Sequence, residues 1–163
     1  MMKKRLTSLA LSAMMVLSMV PATAFAAKDA GTPPTYNSAT GCYEISTPAQ
    51  LLYLAGKWKD GAPRDGHYVL TADIDMTGVK GFKPIASKKA EGFTGTFDGQ
   101  FHSIKGLRVE YEKKYAGLFG YVGNQNDQAY IKNVALLDCY VTGQQNVGAL
   151  AGVNYGTITD CVV

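Results

Sequence analysis

The clearest helical pattern in the chain lies in the segment STPAQLLYLAGKW. Its apolar residues recur at i, i+3, i+4 and i+7 and therefore share one helix face, namely Leu51, Leu54, Ala55 and Trp58. Thr47 and Gln50 have the spacing of a capping box, and Pro48 stands at the first helical position, where its missing N–H is not needed. The pattern predicts a short amphipathic helix over 48–58 that packs on an apolar surface.

Downstream of this helix the apolar residues alternate with a period of two, which is typical of strands. The segment HYVLTADIDM, residues 67–76, predicts a strand. Asp98 and Gly99 stand between aromatic and β-branched residues in FTGTFDGQFHSIKGL and predict a hairpin turn. The 18 glycines of the chain indicate many tight corners. The pattern therefore predicts an all-β fold with one N-terminal helix.

Three similar hexapeptides, IKGLRV, IKNVAL and ITDCVV, begin at Ile104, Ile131 and Ile158 and are therefore evenly spaced along the chain. Their third residues are Gly106, Asn133 and Asp160, the residue types that best tolerate a left-handed backbone. The first, fourth and sixth residues are all buriable and predict a column that faces inward. We expect buried side chains at Ile131, Val134, Leu136 and Leu150, and exposed ones at Lys105 and Lys132.

A second repeated element lies between these strands. AGLFGYVG (116–123) matches GALAGVNYG (148–156), with Leu118 aligned to Leu150, and the longer connection NQNDQAY in the first unit is expected to be a loop. The residues of this repeated element that we expect to have a structural role are Gly117, Leu118, Phe119, Gly120, Gly148, Leu150 and Gly152. A β-rich repeat of this length predicts coils that stack and cover each other's apolar faces. We therefore expect a β-solenoid whose first coil is capped by the 48–58 helix.

The segment from Cys139 to Thr159 carries no charge and is long enough to cross a bilayer. Its glycines weaken a helix and its amides would be costly in lipid, so we interpret it as a solenoid coil instead. The hexapeptide that ends at Val163 has no further coil after it. Its unpaired apolar edge predicts self-association of the mature chain through the C-terminal end.

The N-terminal segment 1–26 has the order of a secretory signal peptide: a basic MMKKR, an uncharged apolar run, and small residues at Ala24 and Ala26. We expect cleavage near Ala26 and a secreted or cell-surface location in a bacterium, with no membrane segment in the mature form. Residues 27–41 are rich in Pro, Gly and Thr and predict a disordered linker. Lys3, Lys4 and Arg5 leave with the signal peptide, so the basic and acidic residues of the mature chain balance, which gives no electrostatic case for nucleic acid.

The three cysteines leave the disulfide state open, since export permits disulfides and an odd number leaves at least one thiol unpaired: Cys42, Cys139 and Cys161. Cys161 shares its column in the alignment with Leu107 and Val134, so we expect a buried thiol there rather than a bridge to Cys139. The chain has only two histidines and no zinc-type spacing. No metal site and no cofactor are expected.

GLFG and VGALAGVNYGTITDC resemble GLUG-motif repeats of secreted and surface bacterial proteins. YEISTPAQLLYLA, YVLTADIDMTG, FKPIA and FTGTFDGQFHSIKGLRV resemble the N-terminal cap that precedes such repeats, so the resemblance covers most of 43–163. It implies a right-handed β-helix, with 42–103 as cap and first coils and 104–163 as about two repeats, truncated in the third. Family members occur in long multidomain surface proteins, adhesins and the non-catalytic part of IgA-cleaving metallopeptidases.

Three aspartates invite a catalytic interpretation, because β-helix glycosidases use carboxylate pairs: Asp73, Asp75 and Asp98. We favour structural roles, since Asp98 fits its turn and the other two suit corners at strand ends. His102 has no nucleophile pattern near it, and GLFGYVG lacks the Lys-Ser/Thr ending of a phosphate loop. We expect no catalytic residue.

Six tyrosines are candidates for an exposed aromatic strip that stacks on sugars, although packing on half-buried strands accounts for such residues equally well: Tyr111, Tyr115, Tyr121, Tyr130, Tyr140 and Tyr155. The favoured function is a secreted, non-enzymatic module for adhesion, for glycan or protein interaction, or as a surface spacer. The alternative is a non-catalytic N-terminal fragment of a larger secreted peptidase or carbohydrate-active enzyme.

Overall fold

The computed structural model describes residues 31–56 and 62–163, and in these ranges the chain is mostly strands with one short α-helix, which confirms the predicted all-β class. The helix is α1 (Pro48–Gly56), and a 3₁₀ turn covers Lys89–Glu91. The strands are β1 (Thr35–Asn37), β2 (Cys42–Ile45), β3 (His67–Leu70), β4 (Ile74–Asp75), β5 (Thr96–Asp98), β6 (Ser103–Lys105), β7 (Arg108–Ala116), β8 (Phe119–Val122), β9 (Tyr130–Lys132), β10 (Ala135–Leu137), β11 (Tyr140–Val147), β12 (Ala151–Asn154) and β13 (Thr157–Thr159). The predicted signal peptide, 1–26, lies outside the described residues.

Helix α1 begins where the capping pattern predicts. The Gln50 N–H donates to the Thr47 hydroxyl at 3.3 Å, and the Gln50 side-chain carbonyl accepts from the Ser46 N–H at 2.8 Å. The second bond reaches one residue further back than in a standard capping box. The buried apolar side chains of the helix are Leu51, Tyr53 and Leu54. Trp58 lies outside the described residues, within which no helix is long and apolar enough to cross a membrane.

The described strands form four sheets, and every pairing between them is parallel except that of β1 with β2. The largest sheet has the order β1-β2-β3-β5-β9-β13, and the others are β4-β6-β10, β7-β11 and β8-β12. The chain visits the four sheets through β5, β6, β7 and β8, and then in the same order through β9, β10, β11 and β12. We call one such passage a circuit. Strands therefore pair with their counterparts one circuit away.

The parallel register places apolar residues above one another. Phe97 pairs with Ile131, and Ile131 pairs with Ile158. Of the predicted positions, the buried ones are Ile131, Val134, Leu136 and Leu150, as expected. Lys105 is exposed, also as expected. Lys132 is only partly exposed, because its ammonium lies 3.2 Å from a carboxylate oxygen of Asp98.

The alignment of the three hexapeptides is right for the last two and wrong for the first. Ile158 pairs with Ile131, as the even spacing predicts. Ile104, however, lies in β6 and pairs with Leu136 of β10, so IKGLRV stands one strand further along the circuit than IKNVAL. The residue that precedes Ile131 in its inward column is instead Phe97.

The reason for this displacement is that two corners of each circuit look alike in sequence. Asn133 and Asp160 follow β9 and β13, whereas Gly106 and Asp138 follow β6 and β10. All four residues have φ between 51° and 68°, which confirms the left-handed backbone predicted for the third hexapeptide position. A strand followed by a left-handed residue therefore does not identify which corner it belongs to.

The hairpin predicted at Asp98 and Gly99 is wrong, because β5 and β6 lie in different sheets. The backbone turns a corner there, with Phe101 at φ 63°. A Cβ on Gly99 would lie 2.2 Å from the carbonyl oxygen of Asn133, so this glycine is required by the close approach of the next circuit. The strand predicted over 67–76 is likewise divided at a corner into β3 and β4.

The linker predicted over 27–41 is wrong for its described part. Strand β1 pairs antiparallel with β2, and the Asn37 side-chain amide donates to a Glu44 carboxylate oxygen at 2.7 Å. The Thr32 N–H donates to the Ala49 carbonyl of α1 at 3.1 Å. A strand as short as β1, placed beside two prolines, has too few positions to show a period of two, which explains why composition predicts a linker instead.

The two GLFG-like elements stack in register. Phe119 pairs with Ala151, which agrees with the alignment of Leu118 to Leu150 expected from the sequence. A Cβ on Gly120 would lie 2.7 Å from the Ser87 Cα, and one on Gly152 would lie 2.6 Å from a backbone carbonyl oxygen. The motif glycines therefore let neighbouring backbones approach closely.

Burial decreases sharply toward the last strands. Strand β11 contains no fully buried residue, although its neighbour β7 buries Val109 and Ala116 completely. Val162 and Val163 are 61% and 68% exposed. The apolar residues of the last circuit therefore lie on an open face.

Candidate ligand-binding cleft

The six tyrosines predicted as ligand contacts do not form one strip. They occupy four separate places: Tyr115 with Tyr121 and Tyr155, then Tyr140, Tyr130 and Tyr111. Tyr140 is exposed and carries the Arg108 guanidinium 4.4 Å from its ring centroid. The Tyr130 hydroxyl donates to the Gln128 side chain at 3.1 Å, and Tyr111 packs against the core. Only the first group combines several rings.

Tyr121 lies at the centre of that group. Its ring centroid is 5.5 Å from that of Tyr115 in an edge-to-face contact and 5.6 Å from that of Tyr155 in a stacked contact. Both arrangements are attractive for aromatic rings. The two stacked rings come from successive circuits, because the register pairs Tyr121 of β8 with Val153 of β12. Tyr121 is 4% exposed and Tyr155 is 52% exposed, so the stack presents one ring to solvent.

The two stacked phenols also interact through their hydroxyls. Burial and a hydrogen bond with the Tyr155 hydroxyl raise the pKa of Tyr121 above its ordinary value. Tyr121 is therefore a neutral phenol at neutral pH and remains able to donate and accept hydrogen bonds.

The loop 124–127, which joins β8 to β9, borders the tyrosine pair and is held by Asn124. Its side-chain carbonyl accepts from the N–H groups of Asn126 and Asp127 at 2.7 Å and 2.8 Å, and its amide nitrogen donates to an Asp127 carboxylate oxygen at 2.9 Å. This is an Asx turn closed on itself. The side-chain amides of Gln125 and Asn126 make no hydrogen bond to other described residues.

The loop, the tyrosine pair and the 3₁₀ turn enclose an open cleft of about 300 Å³. This volume is at the lower end of the range for small-molecule sites. Lys89 and Asp127 line the cleft and carry opposite charges, so the formal charge of its lining is zero. The cleft therefore offers an aromatic ring, unpaired amides and one group of each charge.

Sequence patterns predict the tyrosines of this cleft but not its other walls. NQNDQAY is predicted only as a loop of variable length, and Lys89 carries no motif. The Asn-x-Asn-Asp order, typical of an Asx turn, is the one signal that could mark a rigid loop there.

Asp98 has the most hydrogen-bond and ion-pair partners of the three candidate aspartates. One carboxylate oxygen accepts from the Gln100 N–H at 2.9 Å and from the Asn133 amide at 3.0 Å, and the other lies 3.2 Å from the Lys132 ammonium. Burial alone would raise its pKa, but these hydrogen bonds and the lysine lower it overall. Asp98 thus stays ionised at neutral pH, unlike a general acid, whose pKa is raised.

Asp73 and Asp75 bind backbone at corners. The Ser103 N–H donates to Asp73 at 2.7 Å and lowers the pKa of that carboxyl. Hydrogen bonds from the Thr77 side chain and from the Thr77 N–H, the latter at 2.9 Å, lower the pKa of Asp75. His102 lies 3.3 Å from the same oxygen of Asp73. Within 31–56 and 62–163 no group of three or more His, Cys, Asp and Glu could hold a metal ion.

The three cysteines are free thiols, each partly exposed: Cys42, Cys139 and Cys161. The column predicted for Cys161 is right for Val134 but wrong for Leu107, whose counterpart is Cys139, since Arg108 pairs with Tyr140. Burial raises the pKa of the Cys161 thiol. It is nevertheless only partly buried, contrary to expectation, because no strand of 31–56 or 62–163 lies on its outer side.

Comparison with known proteins finds relatives that are far longer than this chain. A stretch of 133 residues is 35% identical to halomucin of Haloquadratum walsbyi, covering 73% of this chain and 1% of halomucin. A stretch of 130 residues is 34% identical to a protein of Evansella cellulosilytica named as a Gly-rich membrane protein, covering 74% of this chain and 14% of that protein. The chain thus spans only a small part of each. No family model and no solved structure matches it.

Proposed function

We propose that the described residues form a right-handed β-helix of the GLUG type that acts as a non-enzymatic interaction module outside the cell. The observation that carries this proposal is the repeated path of the chain through four sheets, in which strands one circuit apart pair in parallel with apolar residues above apolar residues. Parallel strands joined by crossovers are almost always connected with a right hand, which supports the proposed handedness. Helix α1 and β1 cap the first coil.

Two observations support a secreted or cell-surface location, one from the sequence and one from the relatives. The N-terminal sequence has the order of a signal peptide, with Ala24 and Ala26 before the proposed cleavage site. The names of the two relatives, a halomucin and a membrane protein, agree with a place at the cell surface. The near-zero charge of the mature chain favours neutral partners over nucleic acid.

The interaction role is supported by the cleft beside Tyr121 and Tyr155, which is the place where aromatic and unpaired polar groups converge. A non-enzymatic role is supported by the aspartates, since Asp73, Asp75 and Asp98 are all engaged in corner hydrogen bonds that keep them ionised. The partner classes that fit are an extracellular glycan or protein.

The alternative function is a non-catalytic N-terminal part of a larger secreted peptidase or carbohydrate-active enzyme. It is favoured by the two relatives, of which this chain matches only 1% and 14%. In that case the module would position or space another domain.

We also propose that a second copy of the chain covers the open face of the last circuit. Helix α1 and β1 cover the other end of the described stack, so two copies meet with the same surface and form a closed dimer. The segment from Cys139 to Thr159 carries no charge, so two such faces approach without repulsion.

Fractionation and binding together test the main proposal. The full chain is expressed in a bacterial host, and we expect mature protein in the medium or at the surface, accessible to added protease. The purified protein should bind cell-surface material without releasing reducing sugars or peptides. Retention in the cytoplasm, or turnover of the bound material, would contradict the proposal.

A further inference from the structure

We infer that the cleft between Tyr155, Tyr121 and loop 124–127 binds a sugar unit of a neutral glycan. This inference rests on the proposed interaction function and names the ligand class of its site. Binding to a charged polymer becomes an outcome of the test.

The aromatic wall of the cleft fits one face of a sugar ring. The C–H groups of a pyranose form an apolar face that packs on an aromatic ring, while its hydroxyls point to the sides. Tyr155 is half exposed, and its stacking on Tyr121 restrains its orientation before a ligand arrives. A restrained ring loses little side-chain entropy on binding.

The polar wall supplies groups that match hydroxyls. Gln125 and Asn126 each offer an amide that can donate and accept, and the sugar hydroxyl does both as well. Asn124 fixes the loop by accepting two backbone N–H groups, so the neighbouring side chains extend from a prearranged backbone. Hydrogen bonding on one side and ring stacking on the other set the orientation of the sugar.

Charge distinguishes neutral from charged glycans. Lys89 and Asp127 balance within the cleft, and the adjacent Lys88 and Glu91 form an ion pair at 3.2 Å. An anionic polysaccharide therefore meets no excess of positive charge, and burying its carboxylates would be unfavourable. A neutral hydroxyl can bind to either the ammonium or the carboxylate.

Affinity electrophoresis of the full mature chain tests this inference. Each native gel contains one soluble polysaccharide. The neutral ones are hydroxyethylcellulose, a mixed-linkage β-glucan and galactomannan, and the anionic one is polygalacturonate. We expect retardation by at least one neutral polymer and none by polygalacturonate. Tyr155→Ala should lower the apparent affinity obtained from the retardation about tenfold, as expected for loss of a stacked aromatic contact.

Two variants control for folding and for surface tyrosines in general. Tyr140→Ala removes a tyrosine of similar exposure on another part of the surface and should leave retardation unchanged. Asn126→Ala alters an exposed loop side chain and should weaken binding by several-fold while thermal unfolding stays that of the parent. Tyr155→Ala is compared with the parent by the same unfolding measurement.

The outcomes separate the site from the module. Retardation by a neutral polymer that Tyr155→Ala and Asn126→Ala both leave intact would overturn this cleft but retain a glycan-binding module. Absence of retardation by all neutral polymers, or retardation by polygalacturonate that salt removes, would overturn the neutral-glycan inference. In either case the proposed surface location and the proposed lack of turnover are tested separately, by the fractionation and binding experiments.

Discussion

Two successive positions of one inward column differ only in the strands that lie beside them. Ile131 and Ile158 are the same residue, pair with each other in the same sheet, and point to the same interior. Ile131 has Phe97 on its other side and no exposed surface, whereas Ile158 has no such neighbour among the described strands and is partly exposed. Burial in this chain is therefore set by the presence of a strand on each side and not by the residue.

The same contrast holds on the other sheets. Val109 of β7 is fully buried and its partner Val141 of β11 is only partly so, and Leu118 is at 0% exposure while Leu150 is at 8%. The N-terminal side shows no such loss, since Leu51 and Leu54 of α1 are both buried. Among the described residues, burial is therefore complete on the N-terminal side and incomplete in the last circuit.

The largest effect is expected in the middle of the stack. Phe97→Ala removes a fully buried ring that packs edge-to-face on Phe119 at 5.3 Å between ring centroids. We expect a loss of about 3–5 kcal/mol in the free energy of unfolding, measured with denaturant. Phe101→Ala is the control, because that ring is 83% exposed and its removal should change stability by less than about 0.5 kcal/mol. Equal losses would contradict the assignment of Phe97 to the core.

An intermediate effect is expected at Asp98, which ties two circuits together through Asn133 and Lys132. Asp98→Ala leaves their donors unpaired and should cost about 1–3 kcal/mol. Asp73→Ala is the control, since that carboxylate is exposed and loses its backbone bond at the surface. A cost at Asp98 no larger than at Asp73 would show that the buried network adds little.

Asp98 also predicts a pH dependence. Its pKa is lowered in the folded state, so its stabilisation is fully present above the unfolded pKa of about 3.9 and is lost as the pH falls through the folded value. The stability difference between the parent and Asp98→Asn should therefore shrink on acidification below that range. A difference that stays constant down to about pH 2 would contradict the lowered pKa.

The smallest effect on folding, but a clear one on association, is expected at the open end. Val162→Lys places a charge on the exposed edge and should change the unfolding free energy by no more than about 0.5 kcal/mol. Light scattering should show a concentration-dependent dimer for the parent and a monomer for the variant. Thr71→Lys, an exposed position between β3 and β4 and away from the last circuit, is the matched control and should retain the dimer. A parent that is monomeric at every concentration would refute the dimer.

Sequence patterns predict the fold class, the start of α1 and the inward residues, because these depend on local periodicity. They fail where distant strands decide the outcome. The Asp98-Gly99 pair has the local chemistry of a hairpin, yet its glycine is needed because the Asn133 carbonyl comes close in the next circuit. The alignment of the hexapeptide at Ile104 is wrong for the same reason. Two corners of each circuit share one sequence pattern, and only pairing with distant strands tells them apart.

The cleft could be predicted only in part. Tyr121 and Tyr155 follow from the repeat, whose register brings them together one circuit apart. Loop 124–127 and Lys89 could not be predicted in this way. A repeat identifies the elements that recur, and both of these belong to connections that do not recur. Residues that give a repeat protein its particular ligand are expected in such connections.

The pair of substitutions Ile131→Ala and Ile158→Ala tests the stacking account most directly. Both delete the same atoms in the same column, so only the neighbouring strands differ. At concentrations where the chain is monomeric, we predict a loss of about 2–5 kcal/mol at Ile131 and of about 1 kcal/mol at Ile158, since part of that side chain already contacts water. Equal losses at the two positions in denaturant unfolding would contradict a stack with one closed and one open end.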